Sequence, residues 1–171
     1  VTSHLEGVAT DKASLLGRWI LERKADLQVV AGSSVLKSMD AERMAPYLDL
    51  VRHNYAVYES LMVFSPDGRV VFSTPPGADS IEAGECLQPS ESEPLILSDI
   101  ELEPRRRKSV FRISVPVPGN DGNTAGIVCA TVGTEAILSM ILKVSLGETG
   151  ECYLVNREGT FLAHKEPDRI L

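Results

Sequence analysis

Two apolar runs joined by a turn constrain this chain more than any other stretch. Val110-Phe111-Arg112-Ile113-Ser114-Val115-Pro116-Val117 has a period of two, Ala125 to Val132 is a second apolar run, and Gly119-Asn120-Asp121-Gly122-Asn123 lies between them. Successive residues of an extended strand point to opposite faces. Phe111, Ile113, Val115 and Val117 therefore share one face, and Val110, Arg112, Ser114 and Pro116 share the other. The Asp-Gly connection is longer than two residues, so a type I turn with a left-handed Gly122 is expected in place of a tight I′ turn. Ile127 to Val132 is apolar on both faces, as suits a strand covered on both sides. The pair predicts a β-hairpin at the centre of an antiparallel sheet, with any binding chemistry on the face of Arg112 and Ser114.

Upstream, His4 to about Ser38 contains no proline and repeats Leu5, Val8, Leu15, Leu16, Trp19, Ile20, Leu27, Val30 and Ala31 at spacings of three and four. That is the period of an amphipathic helix, and roughly thirty residues would make a rod of about 45 Å. A second helix is signalled by Asp40 as N-cap and by Met44, Tyr47, Leu48, Val51 and Tyr55 on one face. Pro46 sets its start near that residue. Ser60 to Ser73 reads as two short strands about Pro66-Asp67-Gly68, Leu95 to Leu97 as a short strand, and Thr134 to Val144 as a helix. Thr74 to Glu93, rich in Pro, Gly, Ser and acids, is an irregular connection, and Glu101 to Lys108 is a charged turn containing Arg105-Arg106-Arg107-Lys108.

Composition removes several classes of function. The 171 residues carry a formal net charge of −7, which argues against a nucleic-acid partner. Cys86, Cys129 and Cys152 show no zinc spacing. A Cys86–Cys129 bridge is one option; the more frequent fate of a cysteine such as Cys129 in a β-run is burial as a small apolar residue. Ala125 to Leu142 approaches membrane-spanning length, but Gly126, Thr131, Gly133, Thr134 and Glu135 make it strand, turn and helix. No nucleophile elbow, phosphate loop, paired-histidine motif or dinucleotide fingerprint occurs, and His4, His53 and His164 fall on three separate elements. No catalytic residue, metal site or cofactor is expected. With neither an initiator Met nor a signal peptide, the sequence reads as a piece of a longer chain.

An internal repeat is also visible. Met62 to Phe72 aligns without gaps on Tyr153 to Ala163 at an offset of 91 residues, which places Gly68 on Gly159 and Pro76 on Pro167. A hairpin recurring after a domain's length points to two copies of one fold. Together these stretches resemble the Cache family of PAS-like extracytoplasmic sensor domains, in its double form. The long helix Lys12 to Val30, the turn Ser65-Pro66-Asp67-Gly68-Arg69, the strands Ile113 to Val117 and Gly126 to Val128, and above all the passage Leu146 to His164 carry the resemblance. It covers nearly the whole chain. Two departures stand out: Lys165-Glu166 separate His164 from Pro167, and the Trp-Tyr pair that follows an Arg in amino-acid-binding members is not found after Tyr58.

The resemblance implies an α+β fold: a long N-terminal helix packed on a PAS-like antiparallel sheet, followed by the opening hairpin of a second PAS-like module. The divisions would be 1–39 for the spine helix, 40–145 for the membrane-distal module and 146–171 for the start of the membrane-proximal one. It further implies a small-molecule-sensing input domain, periplasmic in location, of a membrane-anchored sensor histidine kinase. A chemoreceptor or diguanylate cyclase input domain, or a ligand-free structural module, is the alternative. A homodimer through the long helix is expected.

Arg112 is the sharpest candidate residue, since a guanidinium among apolar neighbours needs acceptors, and a carboxylate ligand would supply them bidentately. Pairing with an internal acid such as Asp99, or a solvated face, is the competing reading. Ser114, two residues on, shares the face. Ser98 and Asp99, at the end of the short strand, and Tyr58, entering the sheet, are candidate rim residues. The Glu151 to His164 hairpin brings Tyr153, Val155, Phe161 and Ala163, which need covering; it is expected to dock on the amino-terminal half of the long helix, through Leu5, Val8, Leu15 and Leu16, or against a second copy of the chain.

Overall fold

The structure, a computed structural model, describes residues 2–77, 86, 95–103, 108–143, 152–155, 159 and 161–163. Helix α1 runs Thr2–Ala31 and stops one residue before Gly32, whose N–H still bonds Gln28 O at 3.0 Å. The sequence reading carried this helix to Ser38. Instead Gly32 and Ser33 break it, and the Ser33 hydroxyl caps a separate short helix, α2 (Ser34–Lys37), by accepting from Leu36 N. Helix α3 (Ala41–Asn54) begins as expected at Asp40, whose carboxylate accepts from Glu42 N at 3.0 Å. Pro46 sits inside it without ending it. The only intrahelical bond its ring removes is the one to Glu42 O, and both residues face solvent.

The described residues form strands β1 (Tyr58–Phe64), β2 (Val70–Thr74), β3 (Ile96–Leu97), β4 (Glu101–Glu103), β5 (Lys108–Pro118), β6 (Thr124–Gly133), β7 (Leu154–Val155) and β8 (Phe161–Ala163), all but β4 in stretches expected to be extended, with helix α4 (Glu135–Leu142) after β6. The main sheet has the order β2-β1-β6-β5-β3, and β4 also pairs with β5. The β5–β6 hairpin is therefore central. Its turn closes through Gly119 N to Asn123 O at 2.7 Å, the Asp121 carboxylate accepts from Asn123 N, and Gly122 takes φ 85°. The Glu101 to Lys108 stretch, read as a turn, supplies β4 and the first residue of β5, because pairing with a neighbouring strand outweighs its charged composition. Residues 78–85, 87–94 and 104–107, which hold most of the expected connection and the Arg105 to Arg107 run, lie outside the described residues, as does His164.

The chain divides into two compact units. The unit of Asp26–Asp99 and Val110–Gly133 holds the main core. On one side of its sheet, Leu61, Val63, Phe111, Ile113, Val115, Val128, Ala130 and Val132 alternate as buried apolar residues. The buried helical residues Leu27, Val30, Ala31, Leu36, Met44, Leu48 and Val51 complete that core. Thr74 is pinned by a hydroxyl hydrogen bond to the Asp49 carboxylate of α3.

The other unit comprises Val1–Ala25, Ile100–Ser109 and Thr134–Leu171. Its centre is Ile137, Leu138 and Ile141 of α4, with Leu15, Leu16, Trp19, Leu142, Cys152 and Leu154 packed against them. The Thr134 hydroxyl donates to Ser109 O at 2.7 Å and Lys12 Nζ to Met140 O at 3.3 Å, so α4 is held at both ends. The β7–β8 hairpin thus packs through Cys152 and Leu154 on the cluster that includes Leu15 and Leu16. Its expected inward face is reversed: Tyr153 and Val155 are exposed, and the Tyr153 ring meets Phe161 edge-on at 5.3 Å. Leu5 also remains exposed.

The internal repeat extends to backbone geometry. Val63↔Phe72 and Phe64↔Val70 of β1–β2 recur at the same offset as Leu154↔Ala163 and Val155↔Phe161 of β7–β8, with a register shift at the same point. Gly68 and Gly159 both adopt φ 83°. Only glycine takes that left-handed conformation without steric cost.

Candidate functional site

Residues directly opposite each other in antiparallel strands lie on the same face, so register converts the sequence into a surface. Arg112 of β5 faces Thr131 of β6, and Thr131 faces Ser60 of β1. On the far side of Arg112, β3 is extended by Ser98, whose N–H donates to Arg112 O at 2.9 Å and whose hydroxyl accepts from Arg112 N at 2.8 Å. One polar row, Ser60–Thr131–Arg112–Ser98, thus crosses four strands. The next row is Met62–Cys129–Ser114–Ile96, and the one after it is Phe64–Ile127–Pro116. Rows on one face lie roughly 7 Å apart along the strands.

This face is buried. Ser60 is 1% exposed, Ser114 1%, Thr131 2% and Arg112 4%. The solvated face that the sequence allowed for Arg112 is therefore excluded, since β5 is covered on both sides from Ser109 to Val115. Burying hydroxyls costs free energy unless hydrogen bonds replace those to water. The Ser60 hydroxyl has no such partner among the described residues.

Polarity falls along the face. Cys86 and Cys129 form a disulfide, with Cα atoms 6.1 Å apart, and pack with Met62, Phe64 and Ile127 in one buried cluster. The cysteine of the β-run is thus both buried and bridged. The second and third rows are accordingly apolar on the β1 and β6 side, and the hydrogen-bonding groups concentrate in the first row and at Ser114.

The five candidates from the sequence separate in the structure. Arg112 and Ser114 share the buried face, two residues apart on β5. Ser98 adjoins Arg112, but its hydroxyl is committed to backbone: it accepts from Arg112 N and donates to Asp99 O at 2.9 Å. Asp99 is exposed and forms no ion pair among the described residues, so the Arg112–Asp99 pair does not form. Tyr58 is buried, but a register shift between Tyr58 and Ser60 sets it opposite Val132 and out of the polar row, with its ring 5.8 Å from that of Tyr55. Ser60 and Thr131 were not picked out from the sequence. The signal available was a serine ahead of the apolar Leu61 to Phe64 and a lone hydroxyl in the apolar run Ala125 to Val132, and only the register shows that both fall in the row of Arg112.

No group of side chains able to hold a metal ion occurs among the described residues, where His4 and His53 are both exposed. Among the described residues two carboxylates are shifted, both in exposed turns. Asp67 lies below the ordinary carboxylate value because it accepts from the Ser65 hydroxyl and faces Arg69, and Asp121 because it accepts from the side chain and backbone of Asn123.

Comparison with known proteins adds a family and a set of folds. The Cache domain family model matches residues 1–171. Among solved structures, the ligand-binding domain of the Pseudomonas aeruginosa PAO1 amino acid chemoreceptor PctC, in complex with GABA, superposes with a TM-score of 0.75 at 16% identity, covering 99% of this chain and 78% of that one. The ligand-binding domain of the Campylobacter jejuni chemoreceptor Tlp3, in complex with L-norvaline, gives 0.71 at 12% identity, covering 96% and 69%. That of the Pseudomonas fluorescens chemoreceptor CtaA, in complex with L-serine, gives 0.65 at 13% identity, covering 99% and 76%. At these identities the likeness is one of fold. No curated protein matches the sequence.

Proposed function

The chain belongs to the Cache domain family, extracytoplasmic sensor domains of membrane receptors, and on that premise we propose that it senses a small molecule on the sheet face of Arg112 and Ser114. The observation that carries this reading is the polar row under the surface, with a Ser60 hydroxyl that no described protein group satisfies. A carboxylate ligand would take two parallel hydrogen bonds from the Arg112 guanidinium, and Ser114, one row further along β5, would flank the same ligand. Ser98 would hold the Arg112 backbone in place, with Asp99 and Tyr58 outside direct contact. Three domains similar in fold were solved with GABA, L-norvaline and L-serine, all carboxylates.

The receptor we propose is a two-component sensor histidine kinase, anchored in the membrane, with this chain as its periplasmic input domain. The domain does no chemistry itself. The Cys86–Cys129 disulfide supports an oxidising compartment. No described helix is long and apolar enough to cross a membrane. We place the module divisions at 1–39, 40–145 and 146–171, supported by the recurrence of the β1–β2 register and its glycine in β7–β8. Helix α1, which supplies residues to both compact units, would carry the signal, and its exposed Leu21 and Val29 support a homodimer along it.

Thermal-shift screening with small carboxylates, amines and sugars tests the sensing role. A ligand at a hundredfold excess over its Kd stabilises by about 2.7 kcal/mol, enough to move the midpoint by several degrees. Arg112→Ala should abolish that shift in a chain that still folds. A variant that binds normally would remove Arg112 from the site. A total absence of shifts would favour a ligand-free structural module.

A further inference from the structure

The ligand face is graded, and the grading specifies what fits. Its first row offers the hydroxyls of Ser60 and Thr131 beside Arg112. Its second row, roughly 7 Å away along the strands, is closed on the β1–β6 side by Met62 and the Cys86–Cys129 disulfide. Beyond the disulfide the same cluster continues through Phe64 and Ile127 with all its members buried. A ligand anchored on the first row therefore meets apolar groups after one row and a packed cluster after two.

We infer that Ser60 and Thr131 are ligand-contacting, specificity-determining residues and that the site takes a short-chain monocarboxylate. Its carboxylate lies along the Ser60–Thr131–Arg112 row and its short aliphatic end rests on Met62 and the disulfide. The inference builds on the sensing role proposed above and adds the ligand's polarity, orientation and length. Ser60 is the key to it. A serine hydroxyl at 1% exposure with no described partner loses its hydrogen bonds to water without recovering them in the protein. An acceptor oxygen placed on this row would restore one. Thr131, opposite Ser60 on one side and Arg112 on the other, would be the middle donor to the same carboxylate. The disulfide acts as the ruler, because a chain longer than one row would have to displace a covalently fixed group.

Thermal shifts of the 171-residue chain with butanoate, octanoate and butylamine, read in the wild type and in Ser60→Ala and Thr131→Val, test this. Butanoate should stabilise, while octanoate and butylamine should not. Each variant should weaken butanoate binding about tenfold, the loss of one hydrogen bond to a charged group. The unliganded midpoint of Ser60→Ala should stay level or rise, because the substitution removes a buried hydroxyl that lacks a partner. A merely structural serine would instead lower the unliganded midpoint and leave butanoate affinity unchanged, which would overturn the inference. So would equal stabilisation by octanoate, or stabilisation by butylamine alone. Should other compounds bind through Arg112 while Ser60 and Thr131 prove indifferent, the sensing role stands and this inference falls. No binding by any compound would remove both.

Discussion

Removing the Cys86–Cys129 bridge should cost the chain about 4 kcal/mol of stability. The two cysteines lie 43 positions apart in sequence, so the link restricts a long loop of the unfolded chain. In the chain-entropy treatment, closing a loop of that length lowers the entropy of the denatured ensemble by about 13 cal/mol/K, or roughly 4 kcal/mol at 25 °C. The local alternative, loss of packing around the two sulfurs, is smaller. Both residues become alanine in the double variant, and the surrounding Met62, Phe64 and Ile127 can relax into the gap. Cross-linking should therefore dominate. The effect belongs to the unit of Asp26–Asp99 and Val110–Gly133, which contains both cysteines, so a probe confined to that unit is needed. Hydrogen exchange at Leu61 and Val128 in rising urea, comparing wild type with Cys86→Ala/Cys129→Ala, gives the difference directly. At 2–4 °C per kcal/mol for a chain of this size, the midpoint should fall by roughly 8–16 °C. A thiol titration of the denatured, unreduced protein should find one free thiol, Cys152. Three thiols would show the bridge is not made. One thiol together with a loss under about 1 kcal/mol would refute the entropic argument, leaving a denatured state already compact around the bridge.

Three further outcomes follow from other parts of the molecule. Gly126→Ala would place a Cβ 2.5 Å from the carbonyl oxygen of Phe64, a backbone atom that cannot step aside, and should lower stability by about 1–3 kcal/mol in urea unfolding. An unchanged midpoint would mean the β1–β6 spacing is looser than described. Ile137→Ala, at the centre of the second unit, should cost about 3 kcal/mol and accelerate amide exchange at Leu154, which packs on it; a Leu154 amide already exchanging like a free chain in the wild type would rule out docking of the hairpin in solution. Asp67, held below the ordinary carboxylate value by the Ser65 hydroxyl and Arg69, contributes stability that is present above the unfolded pKa and lost as pH falls through the folded one. Ser65→Ala should raise the Asp67 titration midpoint, measured by carboxyl NMR, and no movement would assign the shift to Arg69 alone.

How much of this was legible in the sequence depended on the range of each interaction. The β5–β6 hairpin, its left-handed Gly122, the Asp40 cap and the 91-residue repeat are short-range or pattern features, and all appear in the structure. The end of α1 was misplaced because the apolar period runs on past Gly32, and the loss of that residue's side chain weighs more than the pattern. Pro46 was given too much weight, since near a helix start its missing N–H costs a single exposed bond. The hairpin's inward face was misassigned for another reason. Tyr153 and Val155 are the larger or more β-prone residues, but Cys152 and Leu154 are the ones that α4 and Trp19 can reach.

The site shows the same limit more sharply. Arg112 and Ser114 stood out because each breaks an apolar alternation on its own strand. Ser60 breaks one too, and Thr131 is the single hydroxyl in its run, yet neither stands out until the strands are aligned, because a row across a sheet has no spacing in sequence: Ser60, Thr131 and Arg112 come from distant segments. Ser60 keeps the register of Leu61 to Phe64 against β6, so its place opposite Thr131 is set by the strand as a whole. The register shift falls between Tyr58 and Ser60 and moves Tyr58 alone, setting it opposite Val132 on the other face. Two residues that regular alternation would have put side by side are thereby separated, so the polar row takes Ser60 and loses Tyr58.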